Sequence, residues 1–157
     1  MTQEHPAVLV VDRQVHLSDA TARLREKGLT AFSADTVEAM ADCINDSLDA
    51  PARATNLRLV LVASRLAVHA GWNPCAEGGK VAIDLLAGRH GEPLQGTEEA
   101  IRSIPIVPLG DDPAEVTGLA DYARAAGLEV MMPTANDRPF SLPRIPMITW
   151  AIEQLGR

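Results

Sequence analysis

The chain has 157 residues, of which 46% are hydrophobic and only 3% aromatic, and this length suits one domain with a sizeable aliphatic core. Its formal net charge of −7 argues against direct binding to nucleic acid or an anionic membrane, and no apolar run reaches the ~20 residues of a membrane span. The N-terminus lacks the regions of a signal peptide, and Cys43 and Cys75 are too few for a disulfide framework, so we expect a cytoplasmic protein with reduced thiols.

The N-terminal part of the chain predicts a strand, a helix and a second strand. Residues 7–11 form a continuous apolar run, which is typical of a strand buried on both faces of a parallel sheet. After a polar turn, we expect a helix that Ser18 caps and Gly28 ends. Residues 29–33 are more polar and indicate a strand at the edge of the sheet.

The next part predicts a second helix and the most apolar strand. Asp35 and Glu38 resemble a capping box with the aspartate as the cap. The buried stripe of this helix is predicted to consist of Val37, Met40, Ala41, Ile44 and Leu48. Residues 57–64 then form an aliphatic run that suits a central strand and ends without a carboxylate. Open α/β sheets place their sites at the carboxyl ends of the strands, so this end is where we look for function.

The segment from about 67 to 103 is predicted to be an irregular insertion that contains one helix, over residues 80–87. Residues 77–80, Glu-Gly-Gly-Lys, superficially resemble a phosphate-binding loop. They lack the first glycine and the hydroxyl residue that such a loop requires. We therefore interpret them as a structural turn before the helix.

Regular patterning returns at residues 104–109, which predict a fourth strand. Asp112, followed by a proline, is predicted to cap a helix that ends at Gly127. Residues 128–132 predict a fifth strand, and a last helix is expected to begin at about 141–143. Its predicted buried stripe consists of Ile145, Ile148, Ile152 and Leu155.

Five strands that alternate with helices predict one α/β domain over residues 1–157. The expected architecture is a five-stranded, parallel, doubly wound sheet of the flavodoxin-like type, with strand order 2-1-3-4-5. The segment between strands 3 and 4 is expanded relative to this plan.

The order and spacing of these elements resemble the receiver domain of bacterial response regulators. Residues 8–12 are similar to that family's first strand and acidic turn, and residues 59–63 to the strand that carries the phosphorylated aspartate. Residues 104–109 are similar to the fourth strand, and residues 130–133 to the fifth strand with its lysine-proline ending. The resemblance implies the same fold and a role in a two-component system of signal transduction.

The resemblance also implies a phosphorylation pocket, from which this sequence departs at most positions. Asp12 keeps the first acidic position, but Arg13 stands where the second magnesium-binding carboxylate is expected. Ala63 replaces the nucleophilic aspartate, Gly110 the hydroxyl residue and Met132 the lysine. An aspartyl phosphate therefore cannot form at the expected position.

Several nearby residues could restore part of this chemistry. Ser64 lies one residue beyond the nucleophile position, but a hydroxyl without a base or metal is a poor nucleophile, so a hydrogen-bonding role is favoured. The guanidinium of Arg13 could neutralise Asp12 in place of a metal ion, or it could be exposed at a turn. A second alignment places Arg138-Pro139-Phe140 at the lysine-proline-phenylalanine position.

We therefore predict a degenerate receiver, or pseudo-receiver, that is not an enzyme and that signals through protein–protein interaction without phosphorylation. No catalytic residue, cofactor or metal is predicted, and His69, Cys75 and His90 match no zinc-ligand spacing. The alternative is a small-molecule or cofactor-binding protein, or an enzyme, that uses the carboxyl ends of the strands.

The last helix is the predicted binding face for a protein partner or a second copy of the chain. Receiver-family proteins commonly bind partners around their fourth and fifth helices, so the resemblance implies a surface there. Met147 and Trp150 lie three residues apart and away from the predicted buried stripe, so we expect both to be exposed together. Tryptophan is a frequent anchor of protein interfaces.

Overall fold

The computed structural model describes residues 7–49, 57–69, 71–87 and 104–155, without the side chains of residues 44–49 and 76. Within these residues a parallel sheet has the order β2-β1-β3-β4. The strands are β1 (Ala7–Val11), β2 (Thr30–Ala34), β3 (Leu57–Ala63) and β4 (Ile106–Leu109). The predicted α/β class and parallel sheet are confirmed, with β1 and β3 buried at its centre.

The predicted fifth strand, residues 128–132, lies beside β4 but is too short to count as a strand. Val130 forms a parallel bridge with Ile106, whose amide donates to the carbonyl of Glu129 at 2.9 Å. The amide of Met131 donates back to the carbonyl of Ile106 at 2.8 Å. Pro133, which has no amide hydrogen, follows and cannot extend this ladder.

A small hairpin that the sequence analysis missed follows Pro133. Its strands are β5 (Thr134–Ala135) and β6 (Arg138–Pro139), which pair antiparallel. The two-residue turn Asn136-Asp137 has φ values of 53° and 64°. Both values are positive, as in a type I′ turn, and asparagine and aspartate tolerate this conformation better than most residues. The hairpin separates the end of the sheet from the last helix.

The described helices cover both faces of the sheet. They are α1 (Gln14–Glu26), α2 (Val37–Asp49), α3 (Ala76–Leu86), α4 (Pro113–Ala125) and α5 (Arg144–Leu155). Side chains alternate along β1, so Leu9 and Val11 pack with α2 and α3, whereas Val8 and Val10 pack with α1 and α5. Helix α4 contributes to both cores. In the predicted stripe of α2, Val37 and Met40 are buried and Ala41 is half-buried, whereas the side chains of Ile44 and Leu48 lie outside the described residues.

Two predicted helix caps are wrong. Helix α1 begins at Gln14, so Ser18 lies inside it, because the chain turns directly after Asp12, whose side chain accepts from the amide of Arg13 at 2.7 Å. In α2 the cap is Thr36 rather than Asp35, since the threonine hydroxyl accepts from the amide of Ala39 at 3.0 Å.

Other predicted helix ends are confirmed. Asp112 caps α4 by accepting from the amide of Ala114 at 2.9 Å, and Pro113 is the first residue of that helix. Gly28 and Gly127 follow α1 and α4 with φ values of 77° and 89°. These left-handed conformations are the reason for glycine at both positions.

Helix α3 begins at Ala76, four residues earlier than predicted, so Gly78 and Gly79 lie in its first turn rather than in a loop. A Cβ atom at Gly78 would lie 1.8 Å from the carbonyl oxygen of Leu66, and one at Gly79 would lie 2.6 Å from that of Ser64. The two glycines therefore allow the helix to contact the backbone that follows β3. The expected irregular insertion holds an ordered helix up to Leu86, whereas residues 88–103 lie outside the described residues.

Candidate functional site

The carboxyl ends of β1, β3 and β4 converge, because these strands are neighbours in a parallel sheet. They bring together Asp12, Ser64 and the turn that begins at Gly110. A cavity of about 240 Å³ opens beside these ends. The residues that line it include Arg13, Ser64, Arg65, Gly110, Asp111 and Arg144.

Asp12 is fully buried and forms an ion pair with Arg144, the first residue of α5. The Nε atom of Arg144 donates to Asp12 Oδ2 at 2.5 Å, and its Nη2 atom lies 3.4 Å from Asp12 Oδ1. The arginine side chain is itself only 9% exposed. A buried carboxylate requires a counter-charge and hydrogen-bond donors, and Arg144 provides both. This ion pair connects the first residue of α5 to the residue that follows β1.

Asp111 joins the same network from the turn after β4. Its Oδ1 atom accepts from Arg144 Nη1 at 2.5 Å, and its Oδ2 atom accepts from Arg13 Nη2 at 3.1 Å. The hydrogen bond from Arg144 is the main cause that lowers the pKa of the Asp111 carboxyl below its ordinary value. Two arginines and two aspartates thus alternate across three elements.

Arg13 does not have the role that the sequence analysis considered for it. Its backbone amide donates to Asp12, but its guanidinium contacts Asp111 and lies 3.0 Å from His16 Nε2. The cation beside Asp12 is Arg144, which lies 132 residues further along the chain. One signal could have identified it: a cation at the first position of a helix is unfavourable for the helix dipole and needs a local reason.

The remaining predicted pocket residues divide into two groups. Ser64 and Gly110 line the cavity and contact each other closely. A Cβ atom at Gly110 would lie 2.6 Å from the hydroxyl oxygen of Ser64 and 2.8 Å from Val116 Cγ2, so Ser64 and Val116 together leave no room for a side chain there. Ala63 and Met132 do not reach the cavity, since both are buried in the hydrophobic core.

Arg65 and Glu115 form one wall of the cavity and were not predicted as site residues. The Nε atom of Arg65 donates to both carboxylate oxygens of Glu115, at 2.7 and 3.0 Å. This hydrogen bonding raises the pKa of the Arg65 guanidinium. Arg65 directly follows the strand-end serine, and Glu115 lies in the first turn of α4, where a negative charge is favourable.

No cluster of three or more histidine, cysteine, aspartate or glutamate side chains suited to a metal ion occurs among the described residues. Asp12 and Asp111, which follow β1 and β4, both accept hydrogen bonds from Arg144 and form ion pairs with it. None of the helices in the described ranges is long and apolar enough to span a membrane.

The prediction that Met147 and Trp150 are both exposed on the last helix is wrong for Met147. Met147 is fully buried, together with Ile148 and Ala151. The physical reason is Arg144: residues three, four and seven positions after it lie on the face that turns toward Asp12 and the sheet. Trp150 is half-buried, with part of its ring against the core.

The fold of the chain is similar to that of receiver domains whose structures have been solved. No family model and no curated protein sequence matches the chain. A putative response regulator from Chloroflexus aurantiacus J-10-fl aligns with a TM-score of 0.56 and 14% identity, over 98% of this chain and all of that one. The receiver domain of the Francisella response regulator 1452 aligns with a TM-score of 0.56 and 15% identity, over 97% and 94% of the two chains. The fold is that of a receiver domain.

A third comparison shows this receiver fold as part of a longer protein. NtrX from Brucella abortus aligns with a TM-score of 0.58 and 18% identity, over 98% of this chain but only 28% of NtrX. At these levels of identity the similarity establishes the receiver fold and not the chemistry of the strand ends.

Proposed function

We propose that this chain is a single receiver-like signalling domain over residues 1–157, with an insertion at about 67–103, that acts in the cytoplasm without phosphorylation. In this proposal it is a pseudo-receiver rather than an enzyme, and it works by contact with another protein. The observation that carries the proposal is the buried ion pair between Asp12 and Arg144 at the strand ends.

The missing nucleophile supports phosphorylation independence. Transfer of a phosphoryl group to a receiver requires a carboxylate at the end of the third strand, and Ala63 is a buried alanine there. Ser64, the next residue, carries a hydroxyl and is 5% exposed. It has no described histidine or carboxylate as a hydrogen-bond partner that could act as its base.

The position of Arg144 supports the same conclusion independently. Magnesium binds carboxylate oxygens and must remain close to them. Here the guanidinium of Arg144 already contacts both Asp12 and Asp111, at 2.5 Å each. A divalent ion would have to displace a tethered cation that is almost fully buried. Arg144 therefore neutralises the charges of Asp12 and Asp111 without a metal ion.

Exposure to acetyl phosphate and magnesium tests phosphorylation independence. We expect intact-mass spectrometry to show no phosphoryl adduct on the wild-type chain, because neither the nucleophile nor the metal site is available. Ser64→Ala is the matched variant, since it removes the hydroxyl that directly follows β3. An adduct that forms on the wild-type chain and disappears in Ser64→Ala would contradict the proposal.

The partner surface in this proposal is the outer side of α5, centred on Trp150. One face of α5 packs into the core through Met147, Ile148 and Ala151. Trp150 is only half-buried, and Glu153, three residues further along, is exposed. A large, partly exposed ring on a well-anchored helix is typical of an interface anchor. The proposed partner is another protein or a second copy of this chain.

Substitution of Trp150 tests this surface, and Trp72 is the matched control. We expect Trp150→Ala to weaken self-association or partner binding by about 2 kcal/mol, as measured by sedimentation velocity over a concentration series. Trp72, which is 62% exposed, lies between β3 and α3 and not on α5, so Trp72→Ala should leave association through α5 unchanged. We also expect Trp150→Ala to cost less folding stability than Ile148→Ala, for which roughly 2–5 kcal/mol is expected. Equal losses of folding stability would identify Trp150 as a core residue and refute the interface.

A further inference from the structure

A second and larger cavity lies between α3 and α4, on the other side of Ser64 and Glu115 from the strand-end site. Its volume is about 460 Å³, within the range of about 300–1,000 Å³ that is typical of small-molecule sites. Leu119 and Tyr122 supply apolar surface, and Lys80 lies at its border. Nothing in the proposed signalling function uses this space.

Gly118 lines this cavity from the middle of α4. Glycine is unfavourable inside a helix, and it is usually explained by a close neighbour or a left-handed backbone. Neither explanation applies here, because a Cβ atom at Gly118 would have no atom within 4 Å and the residue does not have a positive φ. Gly118 is exposed and lines the cavity, so a long side chain at this position would lie at the border of that space.

Among the charged residues that line the cavity, Lys80 is the one that has no ion-pair partner within the described part of the chain. Glu115 is engaged by Arg65, and Asp121 lies 3.5 Å from Arg124. Lys80, by contrast, forms no ion pair with any of the described residues, and its ammonium group lies 5.8 Å from the centre of the Tyr122 ring. The Tyr122 hydroxyl donates to Asp84 Oδ1 at 2.7 Å, which fixes the ring between the two helices.

We propose that this cavity binds a small amphipathic anion. Its flat apolar part would lie in the slot formed by Leu119, Gly118 and the Tyr122 ring, and its single negatively charged group would pair with Lys80. A carboxylate or sulfonate satisfies this description. The proposal does not depend on phosphorylation independence or on the α5 surface, so it can fail without them.

Anilinonaphthalene sulfonate is a suitable probe, because it combines an aromatic body with one sulfonate. We expect the folded wild-type chain to bind it saturably with one-to-one stoichiometry in a fluorescence titration. Gly118→Met, which places a side chain in the slot, should weaken binding by at least about tenfold. Gly118→Ala is the matched control and should change the affinity by less than about twofold.

The charge requirement is tested at Lys80, which is exposed and can be changed without disturbing the core. Lys80→Gln should weaken binding of the sulfonate probe about fivefold, the effect of one exposed ion pair. It should leave the neutral probe phenylnaphthylamine unaffected. Lys27→Gln, at the only other lysine of the chain, should change neither.

Three results would overturn the proposal: no saturable binding by the wild-type chain, equal binding by Gly118→Met and Gly118→Ala, or equal loss of both probes in Lys80→Gln. Circular dichroism confirms that each variant is folded. If Gly118→Met does not fold, the Lys80 comparison with the two probes decides the outcome alone.

Discussion

At the scale of single residues, the buried aspartate at the end of β1 determines the character of the site. An ionised carboxylate without solvent contact is destabilising by several kcal/mol unless a counter-charge and hydrogen bonds compensate it. Arg144 neutralises the charge of Asp12 and donates to it through Nε and Nη2, and its Nη1 atom donates to Asp111. The same arginine stands at the start of a helix, where its charge is repelled by the helix dipole by roughly 0.3–1 kcal/mol. The two carboxylates outweigh that repulsion.

Removal of Arg144 should therefore be far more damaging than removal of Arg13. We expect Arg144→Met to lower the free energy of unfolding by roughly 3–5 kcal/mol, because it leaves Asp12 buried and unpaired. Arg13→Met removes the contact with His16 and an ion pair with Asp111 whose side chains are 33% and 68% exposed, and about 0–1 kcal/mol is expected for such a pair. Urea unfolding of the two variants measures both values. If the two variants lost similar amounts of unfolding free energy, the burial of Asp12 would not depend on its ion pair with Arg144.

At the scale of elements, the contact between α3 and the segment after β3 explains why two glycines begin that helix. Leu66 and Cys75 pair with each other through two backbone hydrogen bonds of 3.1 Å, which closes the loop between β3 and α3. Gly78 then lies directly over the carbonyl of Leu66. Helix α3 is thus held by backbone contact at its first turn and by buried aliphatic side chains further along.

The glycines of α3 and α4 should respond to alanine in opposite directions. Gly78→Ala places a methyl group 1.8 Å from a backbone oxygen, so we expect a loss of about 1–3 kcal/mol in the free energy of unfolding. Gly118→Ala meets no atom within 4 Å and should stabilise the chain by up to about 1 kcal/mol through helix propensity. Chemical denaturation measures both changes. Stabilisation by Gly78→Ala would contradict the close contact.

At the scale of the whole molecule, the sheet could be predicted because its central strands are buried on both faces and therefore have continuous apolar sequences. The ends of α1 and α4 were also predictable, since Gly28 and Gly127 adopt a backbone conformation that favours glycine. The hairpin before α5 was missed, although Asn136-Asp137 is a typical pair for a two-residue turn.

The strand-end site was only partly predictable for a different reason. Residues that directly follow strands, such as Asp12, Ser64 and Gly110, can be located from topology alone. Arg144 reaches the site from a distant helix, and sequence periodicity does not reveal a contact across 132 positions. The error at Met147 is related, because Met147, Ile148 and Ala151 lie on the same face of α5 as Arg144, and this face is the buried one.

We propose that Arg144 takes the place of a metal ion at the strand ends, where it pairs with Asp12 and Asp111. The most direct measurement is an NMR titration of the isotope-labelled chain with magnesium and beryllium fluoride, a mimic of the phosphoryl group. We expect no shift of the backbone amide signals of Asp12, Ser64 and Asp111, because Arg144 already pairs with both carboxylates. Saturable shifts of these three signals in the unmodified chain would contradict this proposal.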